Sequence, residues 1–228
     1  MAPQQSLRSP EGLAKAVVVL LIAVAVADLL AVAAGQNMRS LVGHWLDDGF
    51  DTGDEAAADR ADLLYGAAGF LQALTMLAAA VLFIIWFRRT RMNAEVFAPG
   101  THPMSPGWSI GAWFVPVANL VLPRRIAGGI WAASTPVGPD GSRRPAPTTV
   151  MNVWWALWAG SLLLSRFTSK KYWDAEEPQE IMDAAGLVMI TDALDIVAAV
   201  FAILFVRKLT RMQGERAALG VQPFPTHF

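Results

Sequence analysis

The sequence predicts an all-α fold: a polytopic membrane helix bundle of four transmembrane helices plus a central proline-broken segment, re-entrant or interfacial, in a single membrane domain over residues 1–228. Three observations carry this reading. Hydrophobic residues make up 54% of the chain and charged residues only 16%, a balance unlike that of ordinary soluble domains. Four stretches, 14–34, 63–87, 150–166 and 185–206, approach or exceed the roughly 20 apolar residues that a spanning helix needs. Between the second and third lies 108–134, which is apolar enough for a bilayer but is interrupted by Pro116, Asn119 and Pro123. Proline removes a backbone donor and breaks a plain spanning helix, and the freed groups must then be covered by protein or by a water-filled cavity.

The first span has a basic start, a long apolar run and an AVAA sequence at Ala31 to Ala34 that resembles a signal-peptidase site. The run is longer than that of a cleaved signal and Asp28 interrupts its end, so a retained anchor is the expectation. After it, Leu41, Val42, Trp45 and Leu46 have the spacing of a short helix lying on the outer surface. The third span is short, and Trp154, Trp155 and Trp158 are expected to anchor one end of it. Trp45, Trp86, Trp108 and Trp173 fall at span edges, where an amphipathic ring is stable at headgroup level. Residues 135–149, rich in proline and glycine, read as a flexible cytoplasmic linker.

Charge sets the orientation. Arg88, Arg89 and Arg91 follow the second span, and Arg207, Lys208, Arg211 and Arg216 follow the last, so both of those ends belong on the cytoplasmic side. A full crossing by 108–134 would put the two clusters on opposite faces. If that segment instead returns, most of the 18 Lys and Arg lie inside, with only Arg39, Arg60, Arg166, Lys170 and Lys171 outside. Both termini are then cytoplasmic. The two outer loops, Asp47 to Asp62 and Asp174 to Asp183, are acidic. Each half runs span, acidic loop, span and basic end, and the two basic ends share a tripeptide, Thr90-Arg91-Met92 and Thr210-Arg211-Met212. A parallel internal duplication around the broken segment gives this pattern, and so does chance combined with a common need for basic anchors.

Trp86, Arg88, Arg91 and Asn93, the run Ser105 to Trp108, the core Trp113, Phe114, Pro116, Asn119 and Pro123, then Trp131, Ser134 and the pair Trp154-Trp155 together resemble the membrane family called domain of unknown function 4328. The match covers roughly Leu63 to Phe205. Gly129 departs from it, standing where a charged residue is expected before Trp131. The resemblance implies a bacterial multi-span membrane protein of the plasma (inner) membrane, with no established activity. Independently of the family, Pro116 frees a carbonyl one turn earlier, and the Asn119 amide is expected to satisfy such groups and cap a bend. A covered turn is the structural reading; a half-helix lining a pore or substrate site is the functional one.

Asp28, Asp192 and Asp195 lie within predicted spans, where each ionised carboxylate costs about 2.5–3.5 kcal/mol. At about 1.5 Å per residue, Asp28 and Asp192 lie at similar depth, roughly 9–10 Å inside the outer boundary. Arg166 can reach that level, Gln72 and Thr75 lie slightly deeper, and Asp192 and Asp195 share a helix face. These six form the candidate intramembrane polar cluster. It serves either to fix helix packing or as part of a proton or cation pathway. Ala23, Ala27 and Ala31 supply a small-residue face for close packing.

No phosphate-binding loop, dinucleotide motif, HExxH pair or GxSxG elbow is present. The lack of cysteine excludes disulfides and thiolate chemistry. His44, His102 and His227 are expected in separate loops, and Asp47, Asp48 and Asp51 lack the spacing of a calcium loop. The expectation is therefore a non-enzymatic protein without metal or cofactor and without a nucleic-acid partner, and most simply a structural, lipid-interacting or envelope-associated component. Its partner is the lipid bilayer, with anionic lipids met through Arg88, Arg89, Arg124, Arg125, Arg207 and Lys208. The alternative is a small channel or transporter using the intramembrane aspartates.

Overall fold

A computed structural model describes residues 7–49, 51, 54–136, 138, 145–175 and 177–220. Helices dominate, and no strand occurs among the described residues. They are α1 (Glu11–Asp48), α2 (Glu55–Phe97), α3 (Trp108–Gly111), α4 (Leu122–Ser134), α5 (Thr149–Asp174) and α6 (Pro178–Ala218), with a 3-10 turn at Ala118–Leu120. By length and composition α1, α2 and the Gln179–Ala218 stretch of α6 are each able to cross a membrane. α5 has 26 residues, which at about 1.5 Å each is long enough to cross. Asn152, three tryptophans and the Arg166 to Lys171 end make it less apolar than the other three.

The helices are longer than the apolar runs within them. α1 continues unbroken through Leu41 to Leu46, so the expected separate surface helix is its last turns; Gly35 and Gly43 are tolerated there and no proline intervenes. The acidic loops shrink likewise. Most of Asp47 to Asp62 is helical, because Ala56 to Ala58 favour helix and acids are stabilised at its N-terminus. Pro178, whose fixed φ suits a first helical position, opens α6 inside the other expected loop. His44 accordingly stands on α1, paired at 2.9 Å with Asp48 one turn on. Much of the expected linker, residues 137 and 139–144, lies outside the described residues, as does His227.

Apolar side chains are exposed in rows. On α2 the row is Leu63, Phe70, Leu74, Leu77, Val81 and Ile85; on α1 Val19, Ile22, Val26 and Leu29; on α6 Ile190, Val197, Val200 and Leu204. The α2 row is about 33 Å long, close to the roughly 30 Å hydrocarbon core of a bilayer. Soluble monomers rarely present such continuous apolar surface.

The chain forms two compact units. One contains the chain up to Val19, Ala80–Asn152 and the chain from Ala202 onward. Its core is aromatic. Phe205 stacks on Trp131 at 6.1 Å and meets Trp86 edge-on at 5.8 Å. Trp86 was expected at headgroup level, but it is fully buried and its indole N–H donates to Thr210 Oγ1 at 3.1 Å. The other unit contains Leu20–Ala79 and Val153–Phe201. There Ala31 and Ala34 of α1 pack on Ala68 of α2 beside Tyr65, and Ala27 is buried on the same face. A methyl group at Gly35 would come 3.2 Å from Met189 Cγ, so glycine permits the close approach of α1 to α6.

Candidate functional site

Within the second unit the carboxyls of Asp28 and Asp192 converge on one side-chain amide. Gln72 Nε2 donates to Asp28 Oδ1 and to Asp192 Oδ1, each at 3.0 Å. Helical spacing brings this about: the aspartates project from the small-residue face of α1 and from α6 toward the middle of α2. Asp28 is only 3% exposed and Asp192 8%. Asp28 Oδ2 is buried with no hydrogen-bond partner among the described residues. Asp195, one turn from Asp192, faces Ser161 of α5. Two members of the expected cluster stand apart. Thr75 turns its hydroxyl back onto Leu71 O at 2.8 Å, and Arg166 is exposed with no ion pair among the described residues. Arg39, not foreseen, lays its guanidinium across Gly186.

The motif core lies in the first unit. α3 is a single turn whose Trp113 follows it, with Nε1 donating to Ser109 O at 3.1 Å and its ring edge-on to both Phe83 and Phe87 at 5.6 Å. The chain then reverses at Pro116-Val117-Ala118. Val117 has φ 64° and ψ −45°, and Ala118 N–H bonds Pro116 O at 2.7 Å. This is a three-residue γ-turn with positive φ, a strained conformation for a β-branched residue. Asn119 does not cap the bend as expected: its side chain makes no hydrogen bond among the described residues. The backbone closes the turn itself, through Asn119 N–H to Val115 O and Leu120 N–H to Val117 O. Pro123 sits in the first turn of α4, where its missing donor costs nothing. Trp131 donates to Ala146 O at 3.3 Å and carries Lys208 Nζ over its ring at 5.2 Å. Trp108 is partly exposed, whereas Phe114 projects away from the protein.

A second amide hub completes this unit. Gln213 accepts from Asn93 Nδ2 at 2.9 Å and donates to Thr90 O at 2.9 Å and Ser134 Oγ at 3.1 Å. Asn93 also exchanges two hydrogen bonds with the backbone of Arg8. Four chain segments are thereby tied through two buried amides. The hub exposes a missed sequence signal. The tripeptide match extends to six positions, Thr90-Arg91-Met92-Asn93-Ala94-Glu95 against Thr210-Arg211-Met212-Gln213-Gly214-Glu215. In both copies the arginine pairs with the glutamate one turn later, at 2.7 Å in Arg91–Glu95 and 3.6 Å in Arg211–Glu215. Within this unit Trp86 meets Thr210 and Asn93 meets Gln213, so α2 and α6 run parallel there, and Asn93 and Gln213 occupy equivalent places in the two matched runs. Equivalent residues touching each other are what a parallel repeat about a pseudo-two-fold axis produces.

Beyond α2 the loop is latched by Arg91 Nη2 to Met104 O at 3.0 Å and by Gly100 N–H to Glu95 Oε1 at 3.1 Å, with Gly100 at φ 70°. His102 packs against Gly129, and its Nε2 is buried without a partner among the described residues. Burial, then the charge of Arg91, holds its pKa below the ordinary value. Among the described residues no group of three or more His, Asp or Glu could hold a metal ion.

A membrane-compatible helical protein built around a proline-broken central segment is the class that these features define. The chain belongs to the family described as Domain of unknown function (DUF4328), whose profile matches residues 51–211. The match takes in α2 through most of α6 and leaves α1, with Asp28, outside it. No curated protein and no solved structure matches the chain.

Proposed function

We propose that this is a four-span plasma-membrane protein with both termini cytoplasmic, acting without catalysis as a structural and lipid-interacting component of the envelope. The observation that carries the reading is the set of exposed apolar rows on α1, α2 and α6, which only lipid covers comfortably. α5 is the fourth span, its length offsetting its lower hydropathy. The basic residues beyond the α2 and α6 rows support a cytoplasmic position for those ends. A passive role agrees with the use of Asn93, Gln213, Thr90 and Ser134 in binding segments to one another.

A second reading rests on Asp28. Its partnerless Oδ2, beside Gln72 and Asp192, offers an acceptor to a proton or cation inside the bilayer, as a channel or transporter needs. Purified protein in liposomes loaded with proton- and alkali-cation-sensitive dyes separates the two. The passive reading expects the leak of protein-free vesicles. Flux that appears with the wild type and disappears in Asp192→Asn overturns it in favour of transport.

A further inference from the structure

The turn carrying Phe114, Val117 and Val121 exposes these side chains by 71%, 78% and 52%. Each would be a poor surface residue in water, and Val117 is also held in strained backbone. The turn is rigidly backed, because Trp113 points the other way, onto Phe83 and Phe87. That contact sets the turn at the height of Ile85, the last member of the exposed α2 row, though on the opposite, Phe83 and Phe87 side of the helix. Cations follow about one helical turn beyond the apolar residues: Arg88 after Ile85, Arg207 after Leu204 and Arg125 after Val121. All three are exposed, and none pairs with a carboxylate among the described residues.

We propose that Phe114, Val117 and Val121 form a shallow wedge in the cytoplasmic leaflet, and that Arg88, Arg125 and Arg207 select anionic phospholipid around it. The inference rests on the membrane reading above. The occupant is lipid because the exposed apolar turn stands at the height where the α2 row ends, and both are followed about one helical turn on by exposed, unpaired arginines that suit phosphate. The expected depth is about 5–10 Å below the headgroups, that of an interfacial apolar face. A re-entrant loop reaching mid-membrane would go further.

The cysteine-free chain allows a direct test with the full-length protein in vesicles of phosphatidylcholine and phosphatidylglycerol. An environment-sensitive fluorophore is placed on Val117→Cys and, separately, on Val81→Cys in the α2 row. The wedge predicts that both are shielded from aqueous iodide, and that a nitroxide high on the acyl chain quenches position 117 more than one near the chain end. It also predicts stronger quenching by nitroxide-labelled phosphatidylglycerol than by the phosphatidylcholine analogue. Each arginine contributes up to about five-fold to that preference at low salt, and R88Q/R125Q/R207Q removes it. If position 117 is open to iodide while position 81 is shielded, the wedge is wrong and the membrane reading stands. If both are open, both fall. Equal quenching by the two lipids in the wild type removes the anionic selectivity.

Discussion

Gln213 and Gln72 are side-chain amides that each bond to groups on two other helices. Gln213→Leu keeps the volume but removes the three hydrogen bonds to Asn93, Thr90 O and Ser134, leaving Asn93 its bonds to Arg8 and Ser134 its bond to Ile130 O. At about 0.5–1.5 kcal/mol net for each hydrogen bond lost, the variant should lose several degrees of thermal midpoint in detergent, whereas Gln213→Asn should lose less. An unchanged midpoint for Gln213→Leu would remove the hub from the account. His102 gives a pH dependence whose sign follows from its lowered pKa. The neutral ring is the form that the fold favours, so its contribution is complete above about 6.5 and is lost as pH falls through the lower folded value. Glu95 and Arg91 face it with opposite charges, and burial together with Arg91 prevails. Thermal scans between neutral and mildly acidic pH should show the wild type losing stability more steeply than His102→Gln. At this scale the sequence was partly legible. Counting residues placed Asp28 and Asp192 at one depth, and Gln72 does join them; the rotation that turns Thr75 onto its own helix and Arg166 outward depends on packing, which spacing does not encode.

Among the elements, the central turn stores the clearest strain. A valine at φ 64° costs about 1–3 kcal/mol, and glycine would remove that at about 0.5–1 kcal/mol of chain entropy. Val117→Gly is therefore expected to be at least as stable as the parent in detergent, despite losing an apolar side chain; a drop of its unfolding midpoint by several degrees would show that Val117 makes packing contacts the structure does not contain. The breaks in this segment were readable, since Pro116 and Pro123 forbid a plain helix. How the bend closes was not. Backbone bonds at Ala118, Asn119 and Leu120 replaced the side-chain cap expected of Asn119, because a tight turn satisfies its own carbonyls. Helix ends were also read short, since apolar runs mark what the bilayer covers, while Ala56 to Ala58 and the acids around them extend α2 on propensity alone.

For the whole molecule, exposed apolar rows are shared by α1, α2 and α6, and the basic ends of α2 and α6 are alike in sequence. The tripeptide hinted at that likeness. The fuller signal, Asn93 and Ala94 matching Gln213 and Gly214, was hidden by conservative replacement and became meaningful once Asn93 and Gln213 were seen to bond each other. Parity of the crossings is the central claim, since the fourth span, the cytoplasmic ends and the leaflet of the wedge all follow from it. Single cysteines at Gly138, Asp174 and Gly220, probed on intact cells with a membrane-impermeant thiol reagent, test it directly. The account predicts labelling at position 174 alone, with 138 and 220 reacting only after the membrane is opened. Labelling of 138 and 220 on intact cells would make 108–134 a full crossing and contradict the four-span arrangement.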